Sequence, residues 1–515
     1  MIINTDINDN LPIIVGVGQV VKNWNGKDSN DAPNPVEIIK EAIEVALSDV
    51  SDLDLREEID YASIIRTFSD SLPMSYNPFG KIINLPAAVM QALKIKPQKV
   101  MYTSAGGEQP QLQVSKISEK LYNKEIEFAV LAGGEVNGAL KKAVKSGVVL
   151  EWASDVDFKV LDNGPKIDFI TEYEIKNGLG LPPQTYASME EGLRSRLKMS
   201  ISEYEKYTSK ILSKLSEVAS KNEYAQFPKY LSPSFLSTPS KYNYRLYNNY
   251  LKWSIAQDSV NQSSAIIITT VRKAKELSIH QDKWVYLHGY SNIDDTFVTQ
   301  RPDISKSDAI DLVINKVLSI SKLKARDITY RDIYSCFPIV LILAAEALEI
   351  DPIQECLTET GGLPFFGGPG NNYSSHGIAA LVERLRKNRG SFGLVLANGG
   401  FMSKESAGIY STLVPDNWSI IDNQDIQNFI DNRPVINLLN ENCKANIEGF
   451  CLEYKRDIPQ SGYVIAKNER GRILAKIKPN STDILKLLAT NGDVVGKTAE
   501  FSHDKGYNYI IDLYL

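Results

Sequence analysis

The chain has 515 residues, a formal net charge of −6 at pH 7, 43% apolar and 23% charged residues. These proportions exclude wholesale disorder and fibrous repeats, and the length predicts about three or four domains. A mildly acidic chain argues against nucleic acid as a partner. Four cysteines, none in a CxxC pair, and four histidines argue against a disulfide scaffold and a Cys/His metal site, and suit a reducing cytoplasm. The first ten residues carry neither a basic nor an apolar segment, so no secretory leader is expected there. The longest apolar runs, such as 337–345, fall short of the roughly 20 residues that cross a bilayer, so no membrane partner is expected.

Residues 11–18 read as an apolar strand ending in glycines. An amphipathic helix follows over 35–51, with Val36, Ile39, Ala42, Ile43, Ala46 and Leu47 at helical spacing. Residues 59–66 form the next strand. A third strand, from 100, runs into the turn Ser104, Ala105, Gly106, Gly107, then a helix over 111–122. The apolar strand 128–132 stops at Gly133 and Gly134. Gly16 and Gly18 superficially suggest a dinucleotide fingerprint, but the third glycine is missing and the helix comes too late. From 138 to 250 the chain is rich in Tyr, Ser and Lys and reads as a mostly helical insertion. The Lys/Glu stretch 201–221 is the solvated face of one of its helices. The insertion returns to a buried strand at 259–270.

The second half replays this order. A strand over 283–290 precedes a helix over 308–322 with Ile310, Val313, Ile314, Val317 and Leu318 on one face, and a strand follows at 332–335. A Gly/Pro/Asn-rich turn over 361–374 leads into a helix over 375–386. The strand 392–397 ends near Gly399 and Gly400. Alternating strands and helices predict a right-handed parallel α/β arrangement, and two copies imply pseudo-twofold lobes. Ligands in such sheets bind beyond the carboxyl ends of the strands, where the glycine turns sit. After 418 the helical periodicity thins. Strands at 447–454, 462–467, 471–477, 496–502 and 507–513, with one helix near 482–490, predict a separate OB-like β-barrel. Charges roughly balance after residue 421, which argues against nucleic-acid binding by it.

These features resemble the thiolase superfamily, most closely the thiolase-like proteins with an additional C-terminal domain, often labelled acetyl-CoA acetyltransferases. The residues that carry the resemblance are 361–376 (GGLPFFGGPGNNYSSH), 397–404 (ANGGFMSK), 334–337 (YSCF) and 258–265. It implies a duplicated α/β thiolase fold of two lobes with mixed five-stranded sheets. The expected parts are 1–272, with the insertion at about 138–250; 273–418; and the C-terminal barrel 419–515. The resemblance also implies acyl-CoA or coenzyme A as ligand, no tightly bound cofactor or metal, and a homodimer or an enzyme of acyl-CoA metabolism as partner. Basic residues of the insertion would meet the coenzyme's phosphates.

The resemblance also exposes departures. Thiolases use a cysteine nucleophile, a second cysteine, a Gly-His-Pro histidine, and an Asn or His that orients water. Here Ala105 or Gly106 stands at the nucleophile position, Gly368 at the histidine, Ala397 at the second cysteine and Tyr334 at the Asn/His position. The remaining candidates for acyl transfer are Cys336 and His376, as a nucleophile and base pair, with Glu108 as a further base. Each has a plainer reading: Cys336 as a buried core residue, His376 as a turn residue, Glu108 as a charge at a helix N-terminus. Gly106, Gly107, Tyr334, Gly368, Asn371, Asn398 and Gly399 are the expected substrate contacts. Asn371 otherwise supports the turn, and Asn398 either is a satisfied turn residue or supplies an amide to an oxyanion. The chain is thus expected to be a cytoplasmic protein of the acyltransferase class that handles CoA thioesters without the usual Cys/His/Cys set. The alternative is a non-catalytic acyl-CoA-binding or assembly protein.

Overall fold

The computed structural model describes residues 7–71, 77–166, 168–478, 481–490 and 493–515; residues 1–6, which belong to the stretch read for a leader, lie outside them. The apolar stripe read over 35–51 becomes the helix Pro35–Val50. Asn34 caps it, accepting from Val36 N and Glu37 N, and Pro35 opens its first turn. Its buried face packs on strand β1 (Pro12–Val21). The glycines of β1 allow this approach: a Cβ at Gly16 would fall 2.3 Å from Ala46 O, and one at Gly18 2.3 Å from Ala42 O. Close helix packing accounts for this pair of glycines.

The first half adds β2 (Tyr61–Ile64), β3 (Lys99–Tyr102), β4 (Phe128–Glu135) and the two-residue β5 (Leu161–Asp162). The insertion contributes helices, including Pro182–Arg196 and Ile201–Ala219, and two short strands, β6 (Arg245–Tyr247) and β7 (Tyr250–Leu251). Strand β8 (Gln262–Thr270) returns to the sheet. The second half supplies β9 (Val285–Asp294), β10 (Ile328–Ile333), β11 (Phe392–Gly399) and β12 (Lys404–Ser411). The C-terminal part is β13 (Cys443–Lys455), β14 (Ile458–Asn468), β15 (Gly471–Ile477), β16 (Thr498–Asp504) and β17 (Tyr507–Tyr514).

The first sheet runs β10-β11-β12-β9-β1-β8-β4-β2-β3-β5. Its centre is a seam, because β1 and β9 meet only at Ile13↔Tyr286 and Ile14↔Val285. On either side the pairings repeat. Strands β2 and β4 are parallel, as are β10 and β11. Strands β8 and β12 each lie antiparallel between two neighbours. The helices Gln109–Tyr122 and Tyr373–Lys387 pack on each other and on strands from both halves. The structure thus has the duplicated α/β architecture expected from the sequence.

Neither half is a five-stranded sheet: among the described residues the first has six strands, counting the two-residue β5, and the second has four, the counterpart of β3 being reduced to one bond, Ile333 N to Leu357 O at 2.9 Å. The cause is the buried Asp332. Its Oδ2 accepts from Thr358 Oγ1, Glu359 N, Thr360 N and Thr360 Oγ1 at 2.9–3.1 Å, which folds that segment into a turn instead of a ladder.

The C-terminal sheet runs β14-β15-β17-β16-β13-β6-β7, and β13 also pairs with β14. It does not stand apart, as the sequence suggested. The insertion's β6 joins it at Glu453↔Tyr247, and the Pro182–Arg196 helix packs on β13. No helix among the described residues is long and apolar enough to cross a membrane.

Candidate functional site

A cavity of about 430 Å³ opens beyond the carboxyl ends of the strands of both halves. The turn after β3 brings Gly106 and Gly107 to it, and the turn after β10 brings Tyr334, Cys336 and Phe337. The loop before the Tyr373–Lys387 helix brings Gly368 and Asn371, and the end of β11 brings Asn398 and Gly399. The insertion closes it with Pro182, Pro183 and Tyr186. Eight of the ten residues singled out in the sequence therefore meet in one wall. Glu108 and His376 do not line it.

His376 is fully buried. Its Nδ1 lies 2.9 Å from Gln19 Oε1, its ring packs edge-on to Phe366 with centroids 5.0 Å apart, and Nε2 has no partner among the described residues. Burial pushes its pKa down to about 3, so the ring is neutral. The helix begins at Tyr373, two residues before the start read from the sequence, and His376 sits inside its first turn, held by Gln19 of β1. The expected Cys336–His376 pair is therefore not assembled.

Cys336 does line the cavity, but as a thiol. Burial pushes it up to about 12, outweighing hydrogen bonds from Tyr186 and Asn398. Nucleophilic attack needs a thiolate. Asn398 Nδ2 donates to Tyr186 OH at 3.0 Å and reaches Cys336 Sγ at 3.5 Å, while Asn398 Oδ1 has no partner among the described residues. The Asn398 amide donors expected at an oxyanion are thus spent within the wall.

Asn371 is also committed. Its Oδ1 accepts from Gly106 N at 3.1 Å, and its Nδ2 donates to Arg66 O at 2.8 Å and Ser71 Oγ at 3.0 Å. It ties the glycine turn of the first half to the loop of the second. Tyr334 differs. Its ring packs edge-on to Tyr373, and a Cβ at Gly107 would fall 2.5 Å from its hydroxyl. That hydroxyl has no hydrogen bond among the described residues, so it is a free donor in the wall.

Glu108 stands just outside the wall. Its Oε1 accepts from Gln109 Nε2 at 2.7 Å, and its Oε2 is buried without a partner among the described residues. A Cβ at Gly106 would fall 2.0 Å, and one at Gly399 1.9 Å, from that oxygen. Burial raises the carboxyl to about 7, against the lowering by Gln109 and by Lys404. A second carboxyl, Glu405, faces Asn398 across the β11–β12 ladder with both oxygens unpartnered among the described residues. Burial drives its pKa well above the carboxylate range, with Glu108 and Asp295 adding to the effect and Arg301 opposing it. Sequence reasoning missed Glu405, Tyr186 and Phe401. Only Tyr186 and Phe401 line the cavity; Phe401 lies within the 397–404 stretch that carries the resemblance, whereas no motif marks Tyr186 or Glu405. Among the described residues no group of three or more His, Cys, Asp or Glu is placed to hold a metal ion.

The doubled order of elements and the turns that converge on one cavity make this a thiolase-like protein of the thiolase superfamily. Within it, the chain is similar over nearly its whole length to the monomeric SCP2-thiolase-like protein type 1 of Mycobacterium smegmatis, at 29% identity over 98% of this chain and 99% of that one, with a TM-score of 0.83. More distant likenesses show the fold alone. Human mitochondrial 3-ketoacyl-CoA thiolase is 15% identical over 78% of this chain and 99% of its own, with a TM-score of 0.54. The Ltp2-ChsH2(DUF35) aldolase is 16% identical over 78% of this chain and 98% of its own, with a TM-score of 0.55. No family model matches the sequence, and no curated protein does.

Proposed function

We propose that this protein binds a coenzyme A thioester in the inter-lobe cavity and forms no acyl-cysteine. The observation that carries this reading is the cavity itself: the glycine turns of both halves meet around a space with one cysteine, held as a thiol near 12, and no histidine in its wall. The thiolase resemblance supplies the thioester, and one structure of the distantly similar human thiolase is a complex with CoA. The Tyr334 hydroxyl is the group we assign to the thioester carbonyl, since a free donor in the wall can hydrogen-bond it.

A second cavity, of about 480 Å³, supports the same ligand. It is lined by Phe227, Phe235, Tyr242 and Trp253 with Lys229 and Lys252. Trp253 lies nearly parallel to Phe365, with centroids 6.2 Å apart, and Lys252 Nζ sits 4.9 Å from the Trp253 ring. The segments carrying Trp253 and Phe365 continue to Ala256 and Leu363 of the first cavity. Flat rings with ammonium groups suit an adenine nucleotide, the far end of coenzyme A.

Chemistry of the acyltransferase class here would run by direct attack of a second substrate's nucleophile on the bound thioester carbonyl, the nucleophile's proton passing to the departing CoA thiolate, with the Tyr334 hydroxyl hydrogen-bonded to the carbonyl oxygen. The competing reading, a non-catalytic acyl-CoA-binding protein, is favoured by the sequestered His376. Titration calorimetry with CoA, acetyl-CoA, acetoacetyl-CoA and longer acyl-CoAs tests the binding, and mass spectrometry of the thioester separates the two readings. Binding with thioester loss supports the first, and binding without loss supports the second. No heat with any CoA species overturns both.

A further inference from the structure

Three successive residues beside the cavity have left-handed backbones: Gly400 at φ 54°, Phe401 at 62° and Met402 at 58°. Two of them carry a Cβ, so the turn is strained and persists only where its surroundings over-determine it. Phe401 lines the cavity, edge-on to Phe169 at 5.2 Å and Tyr186 at 6.2 Å between centroids, while Met402 is fully buried. Ser403 N closes the turn on Gly399 O at 3.2 Å and Gly400 O at 3.3 Å.

The remaining restraint comes from outside the cavity. The guanidinium of Arg301, 1% exposed, donates from Nη2 to Phe401 O at 2.9 Å and from Nε to Thr296 O at 3.1 Å. It faces the buried Asp295 at 3.7 Å, and Asp295 also pairs with Arg433. Arg301 is in turn held by its own main chain. Arg472 of β15, fully buried, donates from Nη1 to Arg301 O at 2.6 Å and to Thr299 O at 2.9 Å. Its Nε lies 2.6 Å from Glu448 Oε2, and its Nη2 3.0 Å from Glu448 Oε1. Buried arginines spent on carbonyl oxygens fix a loop in one geometry, because a displaced guanidinium would leave several donors unpaired.

We propose that Arg301, clamped by Arg472 of the C-terminal sheet, is a positioning residue for the 400–402 wall of the cavity, so that the C-terminal sheet is part of the ligand site without touching the ligand. The sheet then acts as the brace of a strained wall, two hydrogen-bonded steps from Phe401. This rests on the reading of the inter-lobe cavity as the ligand site.

The test is amide hydrogen exchange of the ligand-free, full-length protein and of Arg301→Lys and Arg472→Met. Both variants should speed exchange at 401–404 at least tenfold while strand residues 394–397 stay protected, and acyl-CoA affinity should fall at least fivefold. A purely structural role would lower the melting temperature without this local signature. If Arg472→Met unfolds the C-terminal sheet, Arg472→Lys, which keeps the charge and one donor, replaces it. Unchanged exchange at 401–404 in both variants overturns the proposal, and a response to Arg301→Lys alone overturns the part assigned to the sheet. Because exchange is read without ligand, failure of acyl-CoA to bind would count against the proposed function and not against this brace.

Discussion

The carboxyl of Glu108 occupies the space that a side chain at Gly399 would need, a Cβ there falling 1.9 Å from Glu108 Oε2. The glycine at the end of β11 and the acid before the Gln109–Tyr122 helix are thus one steric unit, although 291 positions separate them. A buried carboxyl raised to about 7 is in this way held against the cavity wall from behind.

Substitutions at two of the lining glycines should separate steric from ligand effects. Gly399→Ala must displace the Glu108 carboxyl and should destabilise by about 2 kcal/mol, as overpacking of a filled interior does. At Gly368 a Cβ would meet nothing closer than 3.4 Å, and its φ is not left-handed. Gly368→Ala should leave the melting temperature within a degree or two and weaken acyl-CoA binding by narrowing the cavity. Thermal melts and calorimetry on the two variants check this.

Buried acids set the pH dependence of stability. Burial raises Glu108 to about 7, and Glu135 and Glu190 to about 8, from an ordinary 4.5. Their folded-state pKa values lie above the unfolded ones, so the stability they contribute is full below about 4.5 and is lost as pH rises through 7 to 8. His376, pushed down to about 3, works oppositely: its contribution is present above 6.5 and lost as pH falls toward 3. Three acids outweigh one histidine, so denaturant unfolding should show stability declining from pH 5 to pH 8. In Glu108→Gln that decline should shrink by about 2–3 kcal/mol. An unchanged slope would show that Glu108 is not the buried neutral acid described here.

Cysteine chemistry should follow burial. Cys336, with its thiol near 12, should resist iodoacetamide at pH 8 in the folded protein, while Cys356, on an exposed residue although burial also raises its thiol, should react faster. Cys336→Ser should keep acyl-CoA binding within about threefold. Peptide mapping by mass spectrometry reads the first expectation and calorimetry the second; rapid alkylation of Cys336 would restore it as a nucleophile.

His376→Ala should behave as a core lesion. It leaves Gln19 Oε1 without its donor and opens space beside Phe366, which should destabilise by about 2–4 kcal/mol. Acyl-CoA affinity measured well below the melting temperature should be nearly unchanged. A large affinity loss at retained stability would put His376 back in the ligand's reach.

Much of the fold was legible because it repeats. The helical spacing over 35–51 and 308–322 and the apolar strands at 128–132 and 392–397 are local patterns that survive packing, and all four appear close to where the sequence put them. The glycine turns pointed to the cavity because close approach of backbones is written in residue type. What could not be read depends on contacts far apart in the chain. The fifth strand of the second half yields to the hydrogen bonds of Asp332, an acid with no local mark of burial. His376 faces β1 because of Gln19, 357 positions away. Tyr186 reaches the cavity from an insertion helix that nearby residues bury almost all round, so no apolar stripe distinguishes it.

In the proposed function the cavity holds a CoA thioester without acylating the protein. The direct measurement is calorimetric titration with acetyl-CoA and acetoacetyl-CoA, coupled to intact-protein mass spectrometry of the same samples. The expected result is saturable binding heat and a protein mass unchanged by any acyl increment. Absence of heat with every CoA species, or an acyl adduct mapped to Cys336, would contradict it.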